Sequence, residues 1–112
     1  MPPSCWDVWV VPFPYTDRLA EKRRPALVIS ADALLRDHGL LWMAMITSTR
    51  IHRWSSDVEI ADLSAAGLPI PSRIRVAKIA AVEPSRLLRP LGKLAAADAH
   101  AALRGLRRFL SP

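Results

Sequence analysis

Along most of the chain, apolar and polar positions follow strand spacing, and only the last stretch adopts helical spacing. The first apolar segment, Asp7-Val8-Trp9-Val10-Val11, is β-branched and aromatic, a composition that fits a pleated, half-buried surface. Pro12-Phe13-Pro14 follows, and residues lacking a backbone donor are expected to close the ladder there. A polar, charged stretch at 15–24 predicts a loop, after which Pro25 opens a second strand, Ala26-Leu27-Val28-Ile29. Ser30 and Asp32 are placed to cap a short helix over 33–36, ended by His38-Gly39. The uninterrupted apolar residues 40–46 suit a strand buried on both faces. Beyond the polar, basic residues 49–56, Asp57-Val58-Glu59-Ile60 alternates strictly and predicts a half-exposed strand. Gly67, Pro69 and Pro71 mark a loop. Residues 72–79 then alternate again, with Arg73 and Arg75 on one face opposite Ile74 and Val76. A helical turn at 84–88 and a short edge segment at 89–94 complete this region. From 95 to 110 the period changes. Ala99, Leu103, Leu106 and Leu110 recur at steps of three and four, with Arg104, Arg107 and Arg108 near the end where they complement a helix dipole.

Five or six short strands followed by one amphipathic helix predict a mainly β fold with a C-terminal helix, a small barrel on which that helix packs. A chain of 112 residues has room for one domain, 1–112. Its longest apolar run is far shorter than the roughly 20 residues a membrane span needs, and nothing in Met1-Pro2-Pro3-Ser4-Cys5 marks the chain for export. A cytoplasmic location and no membrane partner are expected. Strands two and three are more apolar than a single-layer surface requires, so a homodimer interface is expected to take part of that area.

Composition adds a partner class. Hydrophobic residues make up 51% and charged residues 23% of the chain, ordinary globular usage. Sixteen basic against ten acidic side chains give a net charge of +6, which points to anionic partners. Thirteen of the sixteen are arginine, whose planar fork of donors matches phosphate oxygens, although a GC-rich genome enriches the same residue. The lone Cys5 and three scattered histidines give neither an internal disulfide nor a zinc pattern. Asp7, Asp17, Asp57, Glu59 and Asp62 show no paired spacing, which disfavours two-metal nuclease chemistry. With four glycines and no glycine-rich phosphate loop, nucleotide-binding folds drop out. No metal and no cofactor are expected.

Phosphodiester cleavage without metal needs a group near the sugar 2′-hydroxyl, cations for the charge growing on phosphorus, and a donor for the leaving oxygen. Arg24, just before strand two, and Thr47 with Ser48, just after strand three, stand at strand ends where barrels place sites. On spacing alone Arg24 reads as a solvated loop charge and the hydroxyl pair as a turn closure. Arg50, His52, Arg53 and Trp54 combine cations, a titratable imidazole and an aromatic face, as single-stranded RNA binding requires. The same stretch reads equally as an exposed basic turn with Trp54 folded onto the core. Arg73 and Arg75 either line the same groove or face solvent, and Lys78 lies at the other parity.

The run from Asp7 to Asp17, with Val11-Pro12-Phe13-Pro14 at its centre, and the run Lys22-Arg23-Arg24-Pro25-Ala26-Leu27-Val28-Ile29-Ser30 resemble the opening strands of MazF/PemK-type toxins of bacterial type II toxin-antitoxin pairs. Later blocks follow in order: Ile46-Thr47-Ser48, Gly67-Leu68, Pro71-Ser72, residues 75–79, Arg86-Leu87 and Leu91-Gly92-Lys93-Leu94. The resemblance covers nearly the whole chain. It implies an SH3-like barrel that dimerises, cuts single-stranded RNA at short sequences without metal, and is silenced by an antitoxin whose acidic tail lies across a basic groove. It further implies catalytic roles for Arg24 and Thr47, and RNA contacts from Arg23, Ser48, Arg50, His52, Arg53, Trp54, Arg73, Arg75 and Lys78. The sequence departs from the family pattern at three places. Trp6 stands where a glycine usually precedes the first aspartate, Ala77 where some members carry an acid two residues after the strand arginine, and Lys78 where many have glutamine. The general base is open between His52 and water.

Overall fold

The computed structural model describes residues 2–13 and 22–112, and within these the backbone alone for Phe13. Six strands form one antiparallel sheet: β1 (Asp7–Phe13), β2 (Lys22–Val28), β3 (Leu41–Ser48), β4 (Val58–Glu59), β5 (Ser72–Val82) and β6 (Arg89–Lys93). Their order across the sheet is β4-β5-β3-β2-β1-β6. Three helices accompany them, α1 (Asp32–His38), α2 (Leu63–Ala66) and α3 (Ala96–Arg107), with a 3₁₀ turn at Pro84–Arg86. The curled sheet carrying a C-terminal helix is the mainly β architecture expected from the periodicity.

Alternation along the central strands divides the apolar residues between two faces. Val8, Leu27, Ala44, Ile46 and Ile74 belong to one cluster, which α3 covers with Ala99, Ala102 and Leu106. Val11, Ala26, Val28, Leu41, Met43 and Met45 form the other. Residues 41–46 are therefore packed from both sides, as the apolar run predicts, except at Trp42, which is 51% exposed. The helix α3 is tied down by a buried carboxylate: Asp98 accepts from the amides of Ala61 (3.0 Å) and Asp62 (2.9 Å). No helix among the described residues is long and apolar enough to cross a membrane.

Several local expectations are corrected. Pro12 does not end β1, which continues to Phe13, and β2 begins at Lys22, so that Arg24 and Pro25 lie inside it. The reason is register. β3 pairs with β2 only at Ala26, Leu27 and Val28, so the first half of β2 is locally an edge, where sheets tolerate proline. Neither Ser30 nor Asp32 caps α1, whose N-cap is Ala31 without a side-chain bond. Ser30 instead accepts from the Trp42 amide (3.0 Å) and ties the chain back to β3. The short helix α2 was not legible in the periodicity. Asp62 caps it by accepting from the Ala65 amide (3.0 Å).

The strict alternation read over 72–79 also breaks. Arg75 lies opposite Met45, but Ile79 lies opposite Ala44, which leaves Val76, Ala77 and Lys78 as a bulge. An odd number of extra residues reverses the faces. Arg75 therefore shares the Met45 side while Ile79 moves to the other, although their sequence parity is the same.

Trp6 adopts φ = 73°, a left-handed backbone that costs a non-glycine residue roughly 1–2 kcal/mol. That conformation accounts for the glycine usual at this position. Here the indole packs against the α3-side core, and the backbone is fixed at both ends by Trp6 N to Val28 O (2.7 Å) and Leu94 N to Trp6 O (3.0 Å).

Gly39 and Gly67 share the left-handed conformation, at φ = 65° and 71°. They differ in surroundings: a Cβ at Gly39 meets nothing within 4 Å, whereas one at Gly67 would fall 1.9 Å from the Leu91 carbonyl oxygen. Gly39→Ala is expected to cost about 1 kcal/mol, and Gly67→Ala at least about 2–3 kcal/mol because β6 must also shift. Urea unfolding of the two variants checks the order, and equal losses would show that the Gly67 contact yields easily.

Candidate nucleic-acid interface

The register of the sheet assembles the site. Ala26 lies opposite Met45, the last pair between β2 and β3, and two residues further along the strands stand Arg24 on β2 and Thr47 on β3. Thr47 in turn lies opposite Arg73, and Arg73 opposite Glu59. Facing residues of neighbouring strands point to the same side, so Thr47, Arg73 and Glu59 form one row across β3, β5 and β4, with Arg24 on β2 just past its last pair with β3. Sequence reading placed Arg24 before its strand and Thr47 after its own. Both lie within the strands, and this gives the row its fixed spacing.

At the end where β2 and β3 diverge, a cleft of about 350 Å³ is lined by Arg23, Arg24, Thr47 and Ser48, with Leu68 and Ile70 among its apolar wall. Four of the residues singled out from sequence thus meet at one place. Thr47 is buried, and Ser48 accepts from the Arg50 amide (3.1 Å). Arg50, His52, Arg53 and Trp54 do not line the cleft. They sit on the exposed loop 49–57 beside it, which is tied to the cleft by Thr49 N to Pro71 O (3.1 Å) and Ile51 N to Ser48 O (3.0 Å). Lys78 is half-buried on the β5 bulge, apart from this group.

Arg73 and Arg75 share a face, as expected, but neither is a solvated groove charge. Arg73 Nε donates to Glu59 (2.8 Å) and its Nη1 to the Thr49 carbonyl (3.4 Å). Arg75 is only 7% exposed. Its guanidinium forks onto Asp57, Nε to Oδ1 at 3.1 Å and Nη2 to Oδ2 at 2.9 Å, and Nη2 also donates to the His52 carbonyl (2.8 Å). Burial alone would push the Asp57 carboxyl up, but hydrogen bonds from Arg75 and the Trp54 amide, with the charges of Arg75 and Arg73, outweigh it and hold the group below its ordinary value.

Asp57 and Glu59 were missed as partners because their spacing was examined only among carboxylates. The legible signal was complementary: acids two apart on one alternating segment, and arginines two apart on the next. Among the described residues no cluster of three or more His, Cys, Asp or Glu side chains could hold a metal ion.

A six-stranded curled sheet with a basic cleft at the β2–β3 divergence defines the class of protein. The family model for PemK-like, MazF-like toxins of type II toxin-antitoxin systems matches residues 4–110. The chain belongs to that family. Among curated proteins none matches the sequence significantly. Among solved structures, the chain is similar to the Mycobacterium tuberculosis toxin MazF-mt6, with a TM-score of 0.72 and 19% identity over 91% of this chain and 93% of that one. MazF from Deinococcus radiodurans gives 0.73 and 23% over 96% of each chain. An endoribonuclease from a mycobacterial species, solved with its cognate antitoxin, gives 0.70 and 18% over 98% of this chain and 99% of that one. At these identities the likeness is one of fold.

Because the folded Asp57 pKa lies below its ordinary 3.8, the stability it contributes is complete above that value and is lost as pH falls through the lowered one. Asp57→Asn strands a buried guanidinium and is expected to cost about 3–5 kcal/mol near neutral pH. The variant should then lose less stability than the wild type on acidification from about pH 5 to about pH 2. Chemical denaturation across that range checks both, and parallel pH profiles would contradict the assignment.

Proposed function

We propose that this protein is the toxin of a type II toxin-antitoxin pair and acts as a metal-independent, sequence-specific endoribonuclease on single-stranded RNA in the cytoplasm. The observation that supports this reading is that Arg24 and Thr47 line one basic cleft, in a chain belonging to the PemK-like, MazF-like family. In this mechanism the ribose 2′-oxygen attacks the adjacent phosphorus and gives up its proton to His52 or water. The P–O5′ bond breaks, leaving a 2′,3′-cyclic phosphate and a 5′-hydroxyl. Arg24 stabilises the charge on the pentavalent phosphorus and donates to the leaving 5′-oxygen, while Thr47 holds a phosphate oxygen. Arg23 and Ser48 line the path of the strand, and the loop with Arg50, His52 and Arg53 sets sequence preference.

A cognate antitoxin with an acidic, initially disordered tail fits the same cleft, its carboxylates standing where RNA phosphates would. One of the structural neighbours is an endoribonuclease solved in complex with its cognate antitoxin. A homodimer is supported by an apolar face that one copy leaves open. Trp42, Ile79, Phe109 and Leu110 are 51%, 47%, 56% and 67% exposed, and together with Ile29 and Leu103 they line a groove of about 410 Å³. Strands two and three bury nearly all of their apolar residues within one copy, so of the area expected from them only Ile29 and Trp42 reach this face, and the far end of β5 and the end of α3 supply the rest. A second reading, RNA binding without cleavage, is favoured by one feature: Ala77 offers no acid after the strand arginine.

Purified protein incubated with a long single-stranded RNA in EDTA is expected to cut at one short motif and leave cyclic-phosphate and 5′-hydroxyl ends. Arg24→Ala should lower the rate by about 10²–10³-fold. Intact RNA with folded wild-type protein would move the reading to binding alone. For the dimer, light scattering on the wild type is expected to give the mass of two chains, and Ile79→Arg the mass of one. A monomeric wild type at high micromolar concentration contradicts the interface.

A further inference from the structure

Loop 49–57 is exposed and polar, yet it is held from beneath by groups that an ordinary surface loop does not have. Trp54 is pinned at three points. Its amide donates to Asp57 Oδ2 (3.0 Å), its carbonyl accepts from the Asp57 amide (3.0 Å), and its ring lies 4.2 Å from the Arg75 guanidinium carbon. Arg75 is in turn fixed by the fork onto Asp57 and the bond to the His52 carbonyl. Asp57 thus fixes the backbone of Trp54 and the buried Arg75 meets its ring, while the residue nonetheless remains 41% exposed. An indole added only for stability would be expected to sink into the core, where its area is worth most. Instead its ring rests on a buried cation while two-fifths of the residue stays open to solvent.

We infer that Trp54 is a stacking platform for one unpaired RNA base, and that Arg75, through Asp57 and the indole itself, is the positioning residue that holds the platform in place. The inference rests on the RNA-directed reading above and adds to it where a base is gripped and by what. The surroundings suit a nucleotide. Arg50 and Arg53 are exposed on the same loop, supplying cations for the flanking phosphates. The platform is also anchored relative to the cleft. Arg73, two residues from Arg75 on β5, donates to the Thr49 carbonyl where the loop leaves β3, and faces Thr47 across the strands. A base on Trp54 and a phosphate at Arg24 and Thr47 would therefore be held by one rigid sheet. In this chain the strand arginine, Arg75, does not reach the RNA. It works through the loop it supports.

The test separates binding from chemistry by using a fluorescein-labelled, fully 2′-O-methylated single-stranded RNA, which lacks the attacking hydroxyl. Affinity is read by anisotropy over a series of salt concentrations for the wild type, Trp54→Ala, Trp54→Phe, Arg75→Lys and the Trp54→Ala/Arg75→Lys double variant. Trp54→Ala is expected to weaken binding about tenfold, the scale of one lost base stack. Trp54→Phe should recover most of that loss, and the salt slope should stay as in the wild type because no phosphate contact is removed. Arg75→Lys is expected to weaken binding in the wild-type background but to have no further effect once Trp54 is alanine. Should Arg75→Lys not fold, Asp57→Asn in the same cycle breaks the fork from the other side, and hydrogen exchange at the Trp54 amide of folded wild type compared with Trp54→Ala reads the coupling directly. Unchanged affinity in Trp54→Ala overturns the platform. A drop in salt slope of about one phosphate for Arg75→Lys, or additive losses in the double variant, overturns the positioning role. Wild-type protein that binds no single-stranded RNA overturns this inference together with the functional reading, whereas binding with an indifferent Trp54 overturns this inference alone.

Discussion

Between Arg75 and Ile79, β5 carries three residues that have no counterpart on β3, and both the basic cleft and the apolar groove depend on where that bulge falls. Up to Arg75 the odd-numbered residues of β5 face the side of Met45 and Thr47, which places Arg73 and Arg75 in line with the cleft. Past the bulge the odd-numbered residues change sides, and Ile79 and Ala81 join Trp42 and the end of α3 around the apolar groove. A regular strand would have put Ile79 among the arginines and left the groove without one wall. One irregularity thus lets a single strand serve a charged face and an apolar face in succession.

On the charged face, arginines divide the work according to their neighbours. Arg75, buried and forked onto Asp57, has its charge matched inside the fold. Arg73 is shared between Glu59 and the start of the loop. Arg23 and Arg24 line the cleft itself. Burying a guanidinium is tolerable only with its partner in place, so Asp57 must lie against β5, and the loop that carries it must close down over Arg75. That closure gives an exposed basic loop a definite shape without an apolar core of its own.

Much of this was legible in the sequence, for identifiable reasons. The apolar run at 40–46 was recognisable as a strand buried on both sides, and the change to helical spacing after residue 95 announced α3. Arg24, Thr47 and Ser48 stand out at strand ends as a cation and two hydroxyls, but spacing alone reads them as a solvated charge and a turn closure, and only the family resemblance joins them in one site. What could not be read depended on pairing. Pro25 hid the first half of β2, since its tolerance there rests on β3 having already ended its pairing. The bulge in β5 leaves no mark on an alternating pattern, and the match of Asp57 and Glu59 to Arg75 and Arg73 emerges only when two segments are compared. Trp6, read as a departure from a glycine pattern, proves to occupy the backbone conformation that glycine would favour, with its indole packed on the core in compensation.

The central claim is that the cleft lined by Arg23, Arg24, Thr47 and Ser48 receives the phosphate backbone of RNA. The most direct test is a titration of isotope-labelled protein with an uncleavable single-stranded RNA, following backbone amides and arginine Nε–H signals by NMR. The account predicts saturable shifts at Arg24, Thr47, Ser48 and Arg73, continuous with shifts along loop 49–57. Shifts confined to α1 and β6, or the absence of any saturable change, would contradict it.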